Sequence, residues 1–207
     1  MNDLTPRQNE IIGAAIHLIS RKGIQELTIR NLARELHITE PAIYRHFESK
    51  SEILSAMLEY LHHDTRTIFE QSQKEGNAIA RVRQYFTLLF SRLETNPASA
   101  AVVFSDEAFM NEERLSSMVR ALVELALDNT TELLIQAREE GEPKQGTAAT
   151  NGRQASHPQH EQELATLLVG GVRLMVRRWH MDDYSWSLSE RGIAVVDTFL
   201  GLIEARS

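Results

Sequence analysis

Between residues 39 and 46 the chain clusters side chains that can hydrogen-bond phosphate groups and base edges. Thr39 carries a hydroxyl, Tyr44 a phenol, Arg45 a guanidinium and His46 an imidazole. Arginine can bond both acceptor atoms of a guanine, while hydroxyls and cations hold backbone phosphates whatever the base sequence. The cluster indicates contact with DNA, provided that one helix presents these side chains together.

A helix-turn-helix is the element that would present them. Thr28 can cap a short helix to about Leu36, and a second can run from Thr39 to about Phe47. Ile43 gives the second helix an inner face, which turns its polar side chains outward towards a major groove. A tight helical hairpin with no role in DNA binding fits this spacing equally well.

A longer pattern carries a resemblance to a known family. Residues 28–54 read TIRNLARELHITEPAIYRHFESKSEIL, and an Ala pair and a Gly precede them. This stretch resembles the DNA-binding domain of the TetR family of transcriptional repressors. The family's positions are held here by Ala14-Ala15, Gly23, Thr28, Leu32-Ala33, Ile38-Thr39, Ile43-Tyr44, His46-Phe47, Lys50 and Ile53-Leu54. His37 departs from the family, since most members have Gly at that turn.

The resemblance implies which side chains contact DNA. The residues that would hold phosphates are Thr28, Thr39, Tyr44, His46 and Lys50. The residues that would lie closest to base edges are Arg30, Glu40 and Arg45. Two of these positions have a plainer alternative, because Tyr44 can be a half-buried packing residue and His46 an exposed residue without a role.

Helical periodicity dominates the rest of the chain, so we expect an all-α fold. The predicted helices cover residues 6–22, 28–36 and 39–47, then start near Ser49, Asn77, Asn96 and Asn111, and end with 160–180 and 188–205. Ser49-Lys50-Ser51-Glu52 and Ser187-Leu188-Ser189-Glu190 are capping boxes. We predict a three-helix DNA-binding domain over residues 1–48 and a helical ligand-binding and dimerisation domain over 49–207. Residues 141–159 lack large apolar side chains and are predicted to be a flexible loop.

Charge is distributed unevenly along the 207 residues. The net charge is −7, yet residues 1–50 carry seven Lys and Arg against six acids, and the remainder carries an excess of eight acids. A mildly positive head on an acidic body allows DNA contact through the head alone. The longest apolar stretches are too short to span a membrane, and the first residues show no export signal. We therefore expect a cytoplasmic protein.

Other chemistry finds little support in the sequence. With no cysteine, the chain has no disulfide, thiolate metal site or cysteine nucleophile. His62-His63-Asp64 and His157-x-x-His160 are weak metal candidates, since adjacent helical histidines point about 100° apart. No catalytic constellation or phosphate-binding glycine loop is recognisable. We expect neither an enzyme nor a cofactor or metal.

The middle helices concentrate aromatic and methionine side chains. An apolar effector cavity would be lined by Phe86, Phe90, Phe104, Met118 and Leu122. The alternative is that these residues simply form a core. The family resemblance favours a cavity of some kind.

The last two helices each carry an apolar stripe. The predicted dimer interface consists of Leu164, Leu168, Gly171, Leu174, Met175, Val196, Phe199, Leu200 and Ile203. Both stripes can instead be intramolecular core. In the TetR family the last two helices form a four-helix dimer interface, and two DNA-reading heads are needed to span two half-sites.

These observations together predict a homodimeric, ligand-responsive transcriptional repressor that binds a near-palindromic DNA operator. A small apolar or amphipathic effector would release it from the operator. The alternative is a small-molecule-binding helical protein whose helix-turn-helix does not bind DNA. The small positive charge of the head and the acidic Glu40 favour this alternative.

Overall fold

The computed structural model describes residues 4–97, 99–100, 109, 112–141 and 158–204. These residues are predominantly helical and contain no strand, which confirms the all-α prediction. The α-helices are α1 (Pro6–Lys22), α2 (Ile29–Glu35), α3 (Glu40–Tyr44), α4 (Lys50–Ser72), α5 (Ala78–Thr95), α6 (Glu113–Gly141), α7 (Pro158–Met181) and α8 (Leu188–Glu204), with a 3-10 turn at Ile24–Glu26.

The first helix begins and ends with local signals. The Thr5 hydroxyl accepts a hydrogen bond from the Gln8 N–H at 3.2 Å, and the Gln8 side chain accepts one from the Thr5 N–H at 2.9 Å. This reciprocal pair satisfies two backbone donors at the start of α1. Gly23 ends α1 with a φ of 82°, a conformation that favours glycine.

The turn between α2 and α3 is closed by backbone bonds. The Ile38 N–H donates to the Ala33 carbonyl at 2.9 Å, and the His37 N–H donates to the Arg34 carbonyl at 3.2 Å. This pair of bonds is the Schellman arrangement, which needs a left-handed residue just beyond the helix end. His37 has a φ of 54° and supplies that conformation.

The start of α4 departs from the predicted capping box in one half. The Ser49 hydroxyl accepts from the Glu52 N–H at 3.1 Å, as expected. The Glu52 carboxylate accepts instead from the N–H of Glu48, one residue before the cap. A long flexible side chain can reach either donor, so the sequence pattern fixes the capping hydroxyl better than the returning carboxylate.

The chain divides into two compact units. The first takes in described residues of Met1–Asp64 and Leu93–Val123. Its core joins side chains from α1 to α4 with Phe109, Leu115 and Leu122 from later in the chain. The core residues of the first four helices include Ile11, Leu18, Leu32, Ala33, Ile43, Ile53 and Met57.

The second unit takes in described residues of Thr65–Arg92 and Glu124–Ser207. Its interior contains stacked aromatic rings, with Tyr85 5.1 Å from Phe86 and Phe86 6.2 Å from Phe90 between ring centroids. Burial raises the pKa of Tyr85 to about 12, and a hydrogen bond with Asn129 opposes this shift. The phenol is therefore neutral at physiological pH.

One close helix approach in the second unit was not anticipated from the sequence. A Cβ added to Gly192 of α8 would lie 2.4 Å from Cε2 of the buried Phe90. The sequence pattern instead singled out Gly170, Gly171 and Gly201 for close approach, yet an added Cβ at each meets nothing within 4 Å. Gly192 is thus the glycine that α5 and α8 require for their packing.

Several predicted helix ends lie at described residues. The Asn77 side chain accepts from the Ala80 N–H at 2.8 Å, and the Ser187 hydroxyl accepts from the Glu190 N–H at 3.1 Å. Gly141 still belongs to α6 and Pro158 already belongs to α7. Most of the loop predicted over 141–159, and the predicted helix start at Asn111, lie outside the described residues. Of the helices that the structure describes, none is long and apolar enough to cross a membrane.

Candidate nucleic-acid interface

Helix α3 has one buried and one exposed side. Ile43 is fully buried, and Phe47 just beyond the helix is also buried. Thr39, Glu40, Tyr44 and Arg45 are exposed, and Tyr44 keeps 51% of its surface open. The half-buried packing role considered for Tyr44 therefore does not describe this structure. The exposed side presents hydroxyl, carboxylate, phenol and guanidinium groups on one short helix.

The flanking residues complete this surface. Arg30 lies exposed in the first turn of α2, while His46 and Lys50 are partly exposed after α3 and at the start of α4. The Thr28 hydroxyl accepts from the Asn31 N–H at 3.1 Å, and its own O–H remains able to donate to a phosphate. We call Thr28, Arg30, Thr39, Glu40, Tyr44, Arg45, His46 and Lys50 the head surface.

Two members of the head surface differ in what holds them. Thr39 stands at the N-cap position of α3, but its side chain makes no capping hydrogen bond. Its hydroxyl is therefore not used by the helix that it precedes. Glu40 occupies the first turn of α3, where a carboxylate interacts favourably with the helix dipole. This local role accounts for an acid on a surface that otherwise suits DNA.

Gln8 is a residue that the sequence reasoning missed. Its side-chain amide donates to the His46 carbonyl at 3.2 Å, which connects the start of α1 to the end of α3. The same amide group forms the cap of α1 with Thr5. Thr5-x-x-Gln8 is a capping-box spacing that the sequence does show, but its link to His46, 38 residues away, is visible only in the structure.

A second missed contact lies behind Lys50. The Ser51 hydroxyl donates to the Glu112 carboxylate from a residue 61 positions away. An open cavity of about 440 Å³ adjoins this contact, lined by Ile24, Gln25, Lys50, Ser51, Leu54, Glu112 and Leu115. All of these residues belong to the first unit.

The predicted effector residues do not form one group. Phe86 and Phe90 are buried in the second unit, whereas Met118 and Leu122 pack on the core of the first. Phe104 lies outside the described residues. Spacing along amphipathic helices identifies inward faces but cannot assign them to one of two cores.

The predicted dimer residues separate into two sides of their helices. Leu168, Val196 and Leu200 are 2%, 0% and 4% exposed, so their side chains already belong to the core of the protomer. This finding corrects their assignment to an interface. Leu174 is 62% exposed and Gly171 is also exposed, while Leu164, Met175, Phe199 and Ile203 are intermediate.

The exposed side contains residues that the prediction omitted. Leu167 and Leu202 are 68% and 64% exposed, and Val195 is also exposed. Leu167, Gly171 and Leu174 follow one another at helical spacing on α7, and Val195, Phe199 and Leu202 do so on α8. We call these six residues the outer stripe. They form an apolar face that the protomer leaves open to solvent.

The candidate metal ligands give no described site. His157 lies outside the described residues, so its pairing with His160 is not placed. Within the described part of the chain, no three His, Cys, Asp or Glu side chains are grouped so as to hold a metal ion.

Comparison with known proteins confirms the resemblance of the head. Residues 11–57 match the model of a family described as bacterial regulatory proteins, tetR family. The matched range contains the whole helix-turn-helix and every residue of the head surface. The similarity of the remaining residues rests on comparisons of the whole chain.

Whole-chain similarities point to two groups of proteins. The chain is 25% identical over 186 residues to the nucleoid occlusion factor SlmA of Vibrio vulnificus strain YJ016, with 89% of each chain covered. The fatty acid degradation regulator FadR from Bacillus halodurans has a TM-score of 0.76 at 18% identity, over 95% of this chain and 96% of that one. FadR from Bacillus subtilis in complex with stearoyl-CoA has a TM-score of 0.73 at 18% identity, over 94% and 97%. These structural likenesses show that the chain has the fold of TetR-family transcriptional regulators.

Proposed function

We propose that this chain, whose residues 11–57 form a domain of the TetR family, is a homodimeric transcriptional repressor that binds a near-palindromic operator. A small apolar or amphipathic effector releases it. The protein acts in the cytoplasm without catalysing a reaction. The alternative of a helical small-molecule-binding protein without DNA binding is the outcome that the experiments below are designed to detect.

The observation that carries this proposal is the exposed side of α3. A short helix whose inner residue is fully buried and whose outer residues carry DNA-binding groups suits insertion into a major groove. In the proposal, Arg30, Glu40 and Arg45 read base edges. Thr28, Thr39, Tyr44, His46 and Lys50 hold phosphates.

The outer stripe supports dimerisation. Its exposed leucines lie beside Gly170 and Gly171, which have open space where a Cβ would stand. A second copy packed on this face would cover the apolar side chains and use the room at the glycines. Two heads would then meet two operator half-sites.

The aromatic interior of the second unit supports effector binding. Phe86 and Phe90 are the two proposed effector contacts that lie in this unit. The structurally similar regulator from Bacillus subtilis was solved with stearoyl-CoA, an amphipathic molecule with a long apolar chain. An effector of this general class would shift the protein towards a state that does not bind DNA by its preference for that state.

A second candidate function is action on the nucleoid as a whole. The observation that favours it is the 25% identity to a nucleoid occlusion factor, which extends over 89% of both chains and so beyond the head. Such a factor needs binding sites spread along the chromosome. A repressor needs sites at the few promoters that it controls.

The test is to recover the genomic DNA that the purified protein binds and to map the fragments. Regulation of transcription predicts a few near-palindromic sites at promoters. The nucleoid function predicts many sites spread over the chromosome. Recovery of no sequence above background would contradict both proposals and support the helical protein without DNA binding.

A further inference from the structure

The position of the Lys50 ammonium group depends on how the first turn of α4 is held. Lys50 is the first residue of that helix. Within the turn, Ser49 caps the Glu52 N–H at 3.1 Å, and the side chains of Ile53 and Leu54 are buried in the core of the first unit. These local contacts fix the buried side of the turn but not its exposed side.

The exposed side is held from a distant part of the chain. The Ser51 hydroxyl donates to the carboxylate of Glu112, 61 residues away. The backbone of Glu112 is itself fixed, since its carbonyl accepts from the Ser116 N–H at 3.0 Å and Leu115 close by is 2% exposed. The carboxylate therefore offers Ser51 an anchor that is attached to the core.

Open space adjoins this hydrogen bond. Lys50, Ser51 and Leu54 lie on one side of the cavity of about 440 Å³, and Glu112 and Leu115 also line it. Side chains packed around a contact would hold the turn even after the contact was lost. A cavity instead leaves the turn room to shift.

We propose that Glu112 is a positioning residue for DNA binding, which through Ser51 holds the first turn of α4 so that Lys50 meets a phosphate. This inference rests on the proposed function, because Lys50 contacts DNA only in that proposal. Neither Ser51 nor Glu112 needs to touch DNA. Their role is to limit the positions that the Lys50 ammonium group can take.

A purely electrostatic role for Glu112 predicts the opposite effect. A carboxylate near Lys50 lowers the positive potential that attracts phosphates, so removal of its charge would tighten DNA binding. The positioning role predicts that removal of the hydrogen bond weakens binding. The sign of the change therefore separates the two roles.

The experiment measures operator affinity of the full-length protein for Ser51→Ala, Glu112→Ala, their double variant and Glu112→Gln. We expect each single alanine variant to bind about fivefold more weakly, the size of one modest hydrogen bond. The double variant should bind no more weakly than either single one, because both remove the same contact. Glu112→Gln should stay within about twofold of the wild type, since its amide oxygen still accepts from Ser51.

Two further readouts distinguish positioning from general loss of structure. Melting temperatures of all variants should stay within about 3 °C of the wild type, because both side chains lie at the surface. The dependence of affinity on salt should flatten in Ser51→Ala, as it does in Lys50→Ala, since both weaken the same phosphate contact.

Several results would overturn the positioning role. These are tighter binding in both Glu112 variants, multiplied losses in the double variant, or unchanged affinity in Ser51→Ala while Lys50→Ala loses binding. The last result would leave the proposed function intact. A Lys50→Ala variant that binds as the wild type does would contradict both the positioning role and the phosphate contact on which it rests.

Discussion

His37 adopts a left-handed conformation in the turn of the helix-turn-helix, with a φ of 54°. A side chain with a Cβ is strained there by about 1–2 kcal/mol, whereas glycine is not. Glycine in turn gives the unfolded chain more entropy, which offsets part of that gain. We therefore expect His37→Gly to leave the free energy of unfolding unchanged or to raise it slightly. A loss of more than about 1 kcal/mol in denaturant melts would show that the imidazole makes a stabilising contact.

Lys50 and Arg45 should differ in how they contribute to DNA binding. An ammonium group on a phosphate acts alike on all sequences, so Lys50→Ala should weaken operator and unrelated DNA equally and flatten the salt dependence by about one unit of slope. A guanidinium on a base discriminates between sequences. Arg45→Ala should therefore cost about 1–3 kcal/mol on the operator and less on mismatched DNA.

Fluorescence anisotropy titrations of both variants against operator and scrambled duplexes measure this difference. Arg34→Ala is a suitable control, because its guanidinium donates to the Asn31 side chain at 3.2 Å and it is not among the proposed contacts. Uniform losses in Arg45→Ala would show that Arg45 holds a phosphate and that the reading face was assigned wrongly.

At the scale of elements, the approach of α5 to α8 depends on the missing side chain of Gly192. A methyl group there would lie 2.4 Å from one carbon of Phe90 and 2.7 Å from two others, and the ring is fully buried. Overpacking of this kind costs about 1–3 kcal/mol. We expect Gly192→Ala to lower the free energy of unfolding by that amount, less what alanine returns as the better helix former.

Gly13→Ala provides the matched control. Gly13 also lies inside a helix, but it is exposed and a Cβ there meets nothing within 4 Å. That variant should be more stable than the wild type by about 0.5–1 kcal/mol, because alanine favours the helix. Equal changes in the two variants would mean that Phe90 moves aside at little cost.

The sequence predicted elements better than the faces of those elements. The bounds of α1 and the caps at Thr5, Thr28 and Asn77 follow from neighbouring residues, and the structure confirms them. The stripes on α7 and α8 were predicted as single faces. Each helix in fact carries a buried apolar line beside the exposed outer stripe, and periodicity cannot divide so broad a stripe.

Contacts between distant parts of the chain explain what else was missed at the head. The head surface was predicted through family resemblance, and its members lie on or beside α2, α3 and the start of α4 as that resemblance implies. Gln8 and Glu112 were not predicted. Their partners lie 38 and 61 residues away, and a sequence pattern shows only neighbours along the chain.

At the scale of the whole molecule, we predict a dimer formed through the outer stripe. Leu167→Glu and Leu174→Glu would place charges on faces that are open in the protomer and covered in the dimer. Each should produce folded monomers that lose operator affinity, as measured by analytical ultracentrifugation and DNA titration. Thr166→Glu is the control, because it adds the same charge to an exposed position of α7 away from the stripe.

Monomers that bind the operator as tightly as the wild type would contradict the need for two heads. A dimer that survives both leucine substitutions would place the interface elsewhere. Leu168→Glu is expected to unfold the protein instead, since Leu168 is buried within the protomer.

The central claim is that the head of this protein reads a DNA sequence. Its most direct test is a titration of the wild-type protein against a duplex from upstream of its own reading frame and against a scrambled duplex of equal length, at physiological salt. The account predicts that the upstream duplex binds at least about a thousandfold more tightly. Equal affinity for the two duplexes, after the genomic search has found no better site, would contradict it.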